Sequence, residues 1–336
     1  MVTAAEKRQI WKDFETQAHT RVPVNLGTNV RIILLNPELN PEGVGFDEYS
    51  RVPELMVKYQ LRHLNYRRTV LSKYADIDPD LPDEWVVGVD VQNYYDAAYF
   101  GGTVKFEHSQ VPYAEPVLIG DDRYKIFDVD IDRPLENPFI QKCLDLHERL
   151  CKHCDGMEFL GRPVKVAPFI LGFDGPLTVA SCLRGTELYM DMYQDPEYVK
   201  ELLHFITIGV IKRNKALAQF FDQPIEPAPG TGAGLADDSI QLISTEMYEQ
   251  MVMPMHKLWY ENMGNGGKNS IHLCGDATRH FRTIKENLNV YTFDTGFPVD
   301  LGWLREELGE EVTIHGGPEV ELLLRGTPQD VYNRTK

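Results

Sequence analysis

Two side chains of the types that bind zinc stand two positions apart, at His272 and Cys274. The surrounding residues 270–275 form a short apolar run that predicts a β-strand. Because successive side chains of a strand point to opposite faces, His272 and Cys274 share one face and Leu273 packs on the other. Histidine nitrogen and cysteine thiolate are preferred zinc ligands, and a catalytic zinc has about three protein ligands. The pair therefore predicts either part of a zinc site or a barrel-lining histidine beside a buried thiol.

Other predicted strand ends also carry polar side chains. They are Asp90 with Gln92 and Asn93, Asp174, Asp237 with Asp238, Asp276 next to the His272 strand, Asp294, and His315. In a parallel α/β barrel, catalytic groups gather at the carboxyl ends of the strands. Each acidic residue alone could equally cap a helix or close a turn. Taken together, they predict a face of the protein that binds a ligand.

A second concentration of metal-binding types lies between residues 143 and 154. Cys143, His147 and Cys151 recur at a spacing of four, which places them on one face of a helix. His153 and Cys154 follow directly. Cysteines and histidines this close together in the sequence can bind a metal. However, cysteine is also a common small core residue, and this spacing matches no standard zinc finger. Both interpretations stay open at this stage.

Short apolar runs alternate with helical segments along the chain. Seven runs predict strands, near residues 22–27, 86–91, 165–172, 234–238, 270–275, 290–296 and 312–317. Strands that alternate with helices pair in parallel through right-handed crossovers. We therefore predict an α/β fold, a (β/α)8 TIM-like barrel, as a single domain over residues 1–336 with an insertion at about 93–163. An eighth strand is not visible, so the last β/α unit is expected to be missing from the chain.

The overall composition restricts the partners. The formal net charge is −17, which argues against nucleic acid or an anionic membrane surface. No apolar run approaches the ~20 residues of a membrane span, and the first residues lack the pattern of a signal peptide. The five cysteines form no disulfide framework. We expect a cytoplasmic protein that acts on a small-molecule substrate, without a nucleic-acid or membrane partner.

Several short pieces of the chain occur in a specific order and spacing. They are residues 172–178, 190–196, 236–239, 246–248 with Met253 and Pro254, 272–275, 293–294 and 324–328. This pattern resembles the uroporphyrinogen decarboxylase superfamily, whose members share a (β/α)8 barrel. The resemblance implies one of two chemistries. One is decarboxylation of the acetate arms of uroporphyrinogen without a cofactor. The other is methyl transfer between a corrinoid and a thiol, as in the methylcobalamin:coenzyme M methyltransferases, which hold zinc by a His-x-Cys pair and a later cysteine.

The signature of the true decarboxylases is poorly kept. Their arginine-rich segment corresponds to residues 25–31, where only Arg31 remains. Their key aspartate aligns with Gln92, although Asp90 is close, and their substrate-facing tyrosine aligns with Cys182. Loss of these groups removes charge-assisted bonds to a polycarboxylate substrate. The chain is therefore closer to the methyltransferase-like branch.

The resemblance to that branch implies a zinc-dependent, corrinoid-linked methyltransferase that moves a methyl group between a corrinoid cofactor and a thiol or similar acceptor. Its partners would be a small-molecule substrate and a corrinoid protein. The implied metal ligands are His272 and Cys274. The implied catalytic residues are Asp237, Asp238, Asp276 and Asp294, and the implied substrate-binding residues are Gln92, Asn93, Asp174 and His315.

The third zinc ligand of the family would lie past Lys336, with His315 as an alternative. Two other functions stay open. One is a uroporphyrinogen decarboxylase-like lyase that acts on a tetrapyrrole carboxylate, with Asp90 as its essential acid. The other is a non-enzymatic protein that binds a corrinoid or a tetrapyrrole.

Overall fold

The computed structural model describes residues 2–18 and 21–335 and shows an α/β protein with two compact units. The first unit contains the described residues of 1–92, 105–113 and 141–169. The second unit contains the described residues of 93–104, 114–140 and 170–336. The predicted insertion at 93–163 is thus divided between the units, and the single-domain organisation stays a prediction.

Nine strands occur in the described part of the chain. They are β1 (Trp85–Val87), β2 (Thr103–Lys105), β3 (Tyr113–Glu115), β4 (Glu158–Phe159), β5 (Arg162–Val166), β6 (Gly234–Ala236), β7 (Asn269–Leu273), β8 (Val290–Thr295) and β9 (Thr313–His315). Six of the seven predicted runs overlap a strand. The run at 22–27 does not.

That strand prediction was wrong for a local reason. Both backbone hydrogen-bonding groups of Val24 are taken by Asp76: the Asp76 carboxylate accepts from the Val24 N–H, and the Asp76 N–H donates to the Val24 carbonyl, each at 2.8 Å. Pro23 has no N–H to donate to a neighbouring strand. The Val22 and Val24 side chains are exposed. The segment is therefore extended but pairs with no strand.

Helices fill most of the remaining chain. They are α1 (Ala4–Glu15), α2 (Arg31–Leu34), α3 (Phe46–Tyr49), α4 (Pro53–Thr69), α5 (Tyr95–Tyr99), α6 (Pro138–Cys154), α7 (Pro176–Arg184), α8 (Glu187–Gln194), α9 (Pro196–Phe220), α10 (Thr245–Met247), α11 (Met253–Met263), α12 (Phe281–Leu288), α13 (Leu301–Leu308), α14 (Val320–Arg325) and α15 (Pro328–Thr335). None of these described helices combines the length and apolar character that a membrane crossing requires.

The first unit contains a three-stranded sheet. Strand β1 pairs in parallel with β5, and β5 pairs antiparallel with β4. Beside β1, the Gln60 side chain takes the place of a neighbouring strand. Its amide donates to the Gly88 carbonyl at 2.7 Å and its oxygen accepts from the Gly88 N–H at 3.0 Å. Helix α4 is fixed in this way against the chain that leaves β1.

The second unit contains a four-stranded parallel sheet in the order β6-β7-β8-β9. The register places Ala236, His272, Asp294 and His315 side by side in one row across the sheet. Because residues in register on neighbouring parallel strands point to the same face, their side chains share one face. The carboxyl end of the sheet therefore carries a row of small and polar side chains.

Candidate metal centre

His272 of β7 and Cys274, the first residue after that strand, lie on the same side, as the sequence predicts. Leu273 between them is fully buried, whereas the His272 side chain is half-exposed and Cys274 is exposed. The imidazole Nε2 lies 3.1 Å from the Cys274 Sγ. The two predicted metal ligands therefore face one point at the open end of the sheet.

Asp238, which follows β6, completes a group of three ligand types. One ligand atom from each of Asp238, His272 and Cys274 lies within 4.8 Å of the others. The Asp238 carboxylate accepts from the Cys274 N–H at 2.6 Å and lies 3.9 Å from His272 Nε2. Within residues 2–18 and 21–335, no other group of three such side chains converges in this way.

On α6, Cys151 Sγ lies 3.7 Å from His147 Nδ1, but among the described residues no third ligand atom of the rival cluster joins this pair. Cys143 and Cys154 are buried, and Cys151 is exposed. His147 Nε2 lies 3.1 Å from the Ala167 carbonyl oxygen, which fixes the ring by a bond to the backbone. These residues contribute to the core and surface of a helix, in agreement with the plainer interpretation of their spacing.

Asp294 supports His272 from the neighbouring strand. Its Oδ2 accepts a hydrogen bond from His272 Nδ1 at 2.7 Å. This bond, followed by the contact with Cys274, raises the pKa of His272 to about 10, and the same bond lowers the pKa of Asp294. A metal-binding histidine commonly donates its second N–H to a carboxylate, which fixes the ring and increases its basicity. His272 Nε2 is thereby directed toward Cys274 and Asp238.

The donor set fits a zinc ion. One imidazole nitrogen, one thiolate and one carboxylate match the ligands that zinc accepts, and three protein ligands leave a fourth position open. The electrostatics agree, since the carboxylates of Asp238 and Asp294 beside His272 favour a bound cation. All three side chains reach solvent, so a small molecule can reach the open position.

Substitution of Asp294 by asparagine is expected to weaken zinc binding by about 10- to 100-fold, the usual effect of losing a partner of a ligating histidine. Asparagine retains the size of the side chain but removes its charge. Competition for zinc against a chromophoric chelator measures the change. An unchanged affinity would show that Asp294 does not support His272.

Asp237 lies behind this group and not in it. Its side chain is fully buried, and one oxygen accepts from the Thr178 N–H and hydroxyl, each at 2.8 Å. The other oxygen lies 2.9 Å from Nε2 of buried His256, whose Nδ1 contacts the Tyr248 hydroxyl at 3.1 Å. The Thr178 hydroxyl in turn accepts from the Ser239 N–H at 3.0 Å. Both neighbours of Asp238 are therefore tied to the start of α7.

Replacement of Asp237 by alanine is expected to destabilise the fold by about 3 to 5 kcal/mol, because several buried donors, including His256, lose their acceptor at once. Urea unfolding at equilibrium measures this loss. The isosteric Asp237→Asn variant keeps an oxygen acceptor and should lose less. Equal losses in the two variants would contradict the assignment of Asp237 as the shared acceptor.

The other predicted site residues are placed separately. Asp276 is exposed, and its carboxylate caps the short turn before α12 by accepting from the Thr278 N–H at 3.1 Å. His315 is exposed beside Asp294. Gln92 belongs to the first unit, where it accepts from Arg31 Nε at 2.6 Å and donates to Asp90 at 2.8 Å.

Asp174 and Asn93 belong to the second unit. The Asp174 carboxylate accepts from the Tyr95 hydroxyl at 2.9 Å, and the Asp174 N–H donates to Asp96 at 2.8 Å. Asn93 is exposed two residues before the start of α5. The structure thus joins Asp238, Asp294, His272 and Cys274 in one group, and leaves Asp237 and Asp276 as residues that position the backbone.

Sequence reasoning missed a buried ion pair in the second unit. Arg213 of α9 is fully buried against Asp96 of α5, and its Nη2 donates to the Gly172 carbonyl at 2.9 Å. A signal was present, because Arg213 stands three residues after Val210 on the apolar stripe of α9. A charged residue on a buried helix face requires a partner of opposite charge.

The chain after β8 passes very close to the end of β7. The Gly296 N–H donates to the Leu273 carbonyl at 2.8 Å. A Cβ atom at Gly296 would lie 2.4 Å from the Gly275 nitrogen and 2.9 Å from the Cys274 Cα. Real Cβ atoms do not approach backbone so closely, so only glycine fits at position 296.

The amino-acid sequence is similar to those of two curated methyltransferases. Among curated proteins, the chain is 29% identical over 210 residues to the methylated-thiol:coenzyme M methyltransferase of Methanosarcina mazei, covering 61% of this chain and 51% of that protein. It is 24% identical over 173 residues to the methylcobamide:CoM methyltransferase MtbA of Methanosarcina acetivorans, covering 51% of this chain and 49% of that protein. The chain spans about half the length of these relatives.

A solved structure, a methyltransferase from Methanosarcina mazei, superposes with a TM-score of 0.57 at 14% identity, covering 94% of this chain and 83% of that one, which shows a shared fold. The names of the relatives agree with the methyltransferase-like branch predicted from the sequence. The sequence profile described as uroporphyrinogen decarboxylase (URO-D) matches residues 6–336, nearly the whole chain. The protein therefore belongs to the uroporphyrinogen decarboxylase family.

Proposed function

We propose that this protein is a zinc-dependent, corrinoid-linked methyltransferase with a (β/α)8 barrel fold, and that it moves a methyl group between a corrinoid and a thiol acceptor. The observation that carries the proposal is the convergence of Asp238, His272 and Cys274, with Asp294 behind the histidine. The names of the curated relatives, which include methylated thiol, methylcobamide and coenzyme M, support the two substrate classes.

In this proposal His272 Nε2, Cys274 Sγ and the Asp238 carboxylate would hold the zinc ion. Zinc bound there would lower the pKa of a coordinated thiol, so that the thiolate forms near neutral pH. Asp294 fixes the orientation of the His272 ring through its Nδ1. Asp238 takes the role of the third ligand, in place of His315 or of a cysteine past Lys336.

The remaining predicted residues receive supporting roles. Asp237, through Thr178 and His256, holds the backbone on either side of Asp238. Asp174 and His315 are proposed to contact the substrate. Gln92 and Asn93 stay predicted substrate-binding residues, and Asp276 a predicted catalytic one. A cytoplasmic location and a corrinoid protein as partner belong to the same proposal.

The lyase alternative requires Asp90 as an essential acid. The Asp90 carboxylate is already engaged, since it accepts from the Tyr49 hydroxyl at 2.8 Å and from the Gln92 amide at 2.8 Å. This network within the first unit gives Asp90 a positioning role. The names of the relatives likewise favour methyl transfer over decarboxylation.

The test uses the purified chain loaded with zinc, methylcobalamin as the methyl donor and coenzyme M as the acceptor. We expect demethylation of methylcobalamin, followed by absorbance, and methylated coenzyme M in equal amount by mass spectrometry. Binding of methylcobalamin without turnover would support the non-enzymatic alternative. Release of carbon dioxide from uroporphyrinogen would support the lyase alternative.

A further inference from the structure

We propose that Asp174, oriented by Tyr95, is the group that accepts the proton of the acceptor thiol. The inference rests on the proposed function, because it assigns a step of that reaction. A thiol that becomes methylated must lose its S–H proton. Asp238, His272, Cys274 and Asp294 contact one another, and the proposed function uses them to hold or support the metal, so none of them is free to take this proton.

The position of Asp174 follows from the backbone. The Ala236 N–H donates to the Phe173 carbonyl at 2.9 Å, which in a parallel pair puts Asp174 in register with Ala236. Ala236 is in register with His272 on the other side. Asp174 therefore continues the row of Ala236 and His272, on the same face of the sheet.

Asp174 and His272 are separated by the small residue Ala236. The two residues stand two strands apart, which corresponds to about 10 Å between their backbones. Between them lies Ala236, whose side chain is a single methyl group and is only partly buried. Gly175 allows the close approach of the two chains, since a Cβ there would lie 2.1 Å from the Ala236 oxygen. A thiol placed above Ala236 would have the metal ligands on one side and Asp174 on the other.

The surroundings of Asp174 suit a group that exchanges a proton. One oxygen, Oδ1, accepts from the Tyr95 hydroxyl at 2.9 Å. The positive charge nearby belongs to Arg213, which is paired with Asp96. Among the described residues, no cation forms an ion pair with Asp174, and Asp96 places a second carboxylate close to it. An acid in such a place gives up its proton less readily than an exposed one.

The titration of Asp174 agrees with this role. Burial, and then the charge of Asp96, raises its pKa to about 7. Apart from Asp96, four ionisable groups face Asp174, namely Tyr95, Arg213, Asp238 and Cys182. Burial raises the pKa of the Cys182 thiol to about 11. Tyr95 acts in the opposite sense to burial, because its hydrogen bond stabilises the carboxylate and lowers the pKa. A base with a pKa near the working pH transfers protons most effectively.

The step balances in atoms and electrons. The S–H bond of the thiol breaks, and its proton forms an O–H bond with the Asp174 carboxylate. The electron pair left on sulfur forms the new bond to the methyl carbon. The bond between that carbon and the methyl donor breaks, and its electron pair stays with the donor, a methylated corrinoid. Asp174 afterwards loses the proton to water.

The experiment compares Asp174→Asn and Tyr95→Phe with Asp145→Asn, a matched change at an exposed position of α6. With methylcobalamin and coenzyme M, Asp174→Asn should reduce kcat/KM by about 10²- to 10⁴-fold, the range for loss of a general base. Its zinc content should equal that of the wild type. Wild-type kcat/KM should rise with pH through the pKa of Asp174, since only the carboxylate accepts a proton. Tyr95→Phe should move that rise to higher pH, and Asp145→Asn should match the wild type.

A second measurement does not depend on turnover. Infrared difference spectra between acidic and alkaline buffer should show the C=O band of a protonated carboxyl that disappears near neutral pH in wild type and is absent in Asp174→Asn. If the band is present and methylcobalamin is not demethylated, the proposed function fails while the assignment of the proton-holding group stands. The inference would be overturned if Asp174→Asn showed the same infrared band. It would also be overturned if an active Asp174→Asn variant kept the pH profile of the wild type.

Discussion

Replacement of Cys274 by alanine is expected to abolish the zinc binding that we propose for this protein. The variant retains His272 and Asp238 but loses the thiolate, the ligand that zinc binds with the greatest preference in this set. Zinc content should fall from one ion per chain to almost none, and methyl transfer by more than about 100-fold, since even supporting residues contribute 10- to 100-fold. Elemental analysis and the methylcobalamin assay measure the two effects.

The fold of this variant should survive. Cys274 is exposed, and substitutions on the surface usually change the free energy of unfolding by less than about 0.5 kcal/mol. Cys151→Ala, a change of the same chemistry at an exposed position of α6, is the control and should keep its zinc. Full zinc occupancy in Cys274→Ala would refute the metal centre, and so would a wild-type protein that binds no zinc.

Substitution of Arg213 by methionine is expected to destabilise the second unit by about 3 to 5 kcal/mol, the usual result of leaving one partner of a buried ion pair unpaired. Both side chains of the pair are almost completely buried, so Asp96 would keep its charge without a counterion or take up a proton. The Gly172 carbonyl, just before Asp174, would lose its donor as well. Urea unfolding measures the difference.

The matched control for this prediction is the neighbouring residue. Lys212 pairs with Asp132 on the surface, and such exposed pairs contribute about 0 to 1 kcal/mol. Lys212→Met should therefore have little effect. The double variant Arg213→Met with Asp96→Asn should recover part of the lost stability, because it leaves no unpaired charge. If Arg213→Met and Lys212→Met changed the free energy of unfolding equally, burial of the Arg213 pair would have no energetic consequence.

Local sequence predicted the parts of the site that lie on a single strand. The alternation of His272, Leu273 and Cys274 needs only the geometry of an extended chain, and the structure has it. The α/β alternation likewise follows from periodicity, and six strand positions agree with it. The failure at 22–27 has a different origin. Apolar residues there indicate a strand, but Asp76, some fifty positions later, takes the hydrogen bonds that a strand would use.

Contacts between distant segments were beyond the reach of sequence alone. Asp237 and Asp238 are chemically identical neighbours, yet one is fully buried as a structural acceptor and the other faces His272 and Cys274. Which of the two points outward depends on Thr178 and His256, which belong to other elements. The same holds for Asp96 and Arg213, which meet across more than a hundred residues. Residue types predict candidates, whereas the chain path decides their roles.

The glycine at position 296 has a practical consequence for anyone who searches genomes for proteins of this kind. Its place is dictated by the backbone of Cys274, so it carries information about the thiol site although it has no side chain to react. A search pattern that joins His-x-Cys-Gly to a glycine about twenty positions later would reject chance occurrences of the short motif. It would also separate intact sites from decayed copies, in which the ligands persist but a bulkier residue at this position has closed the space they need.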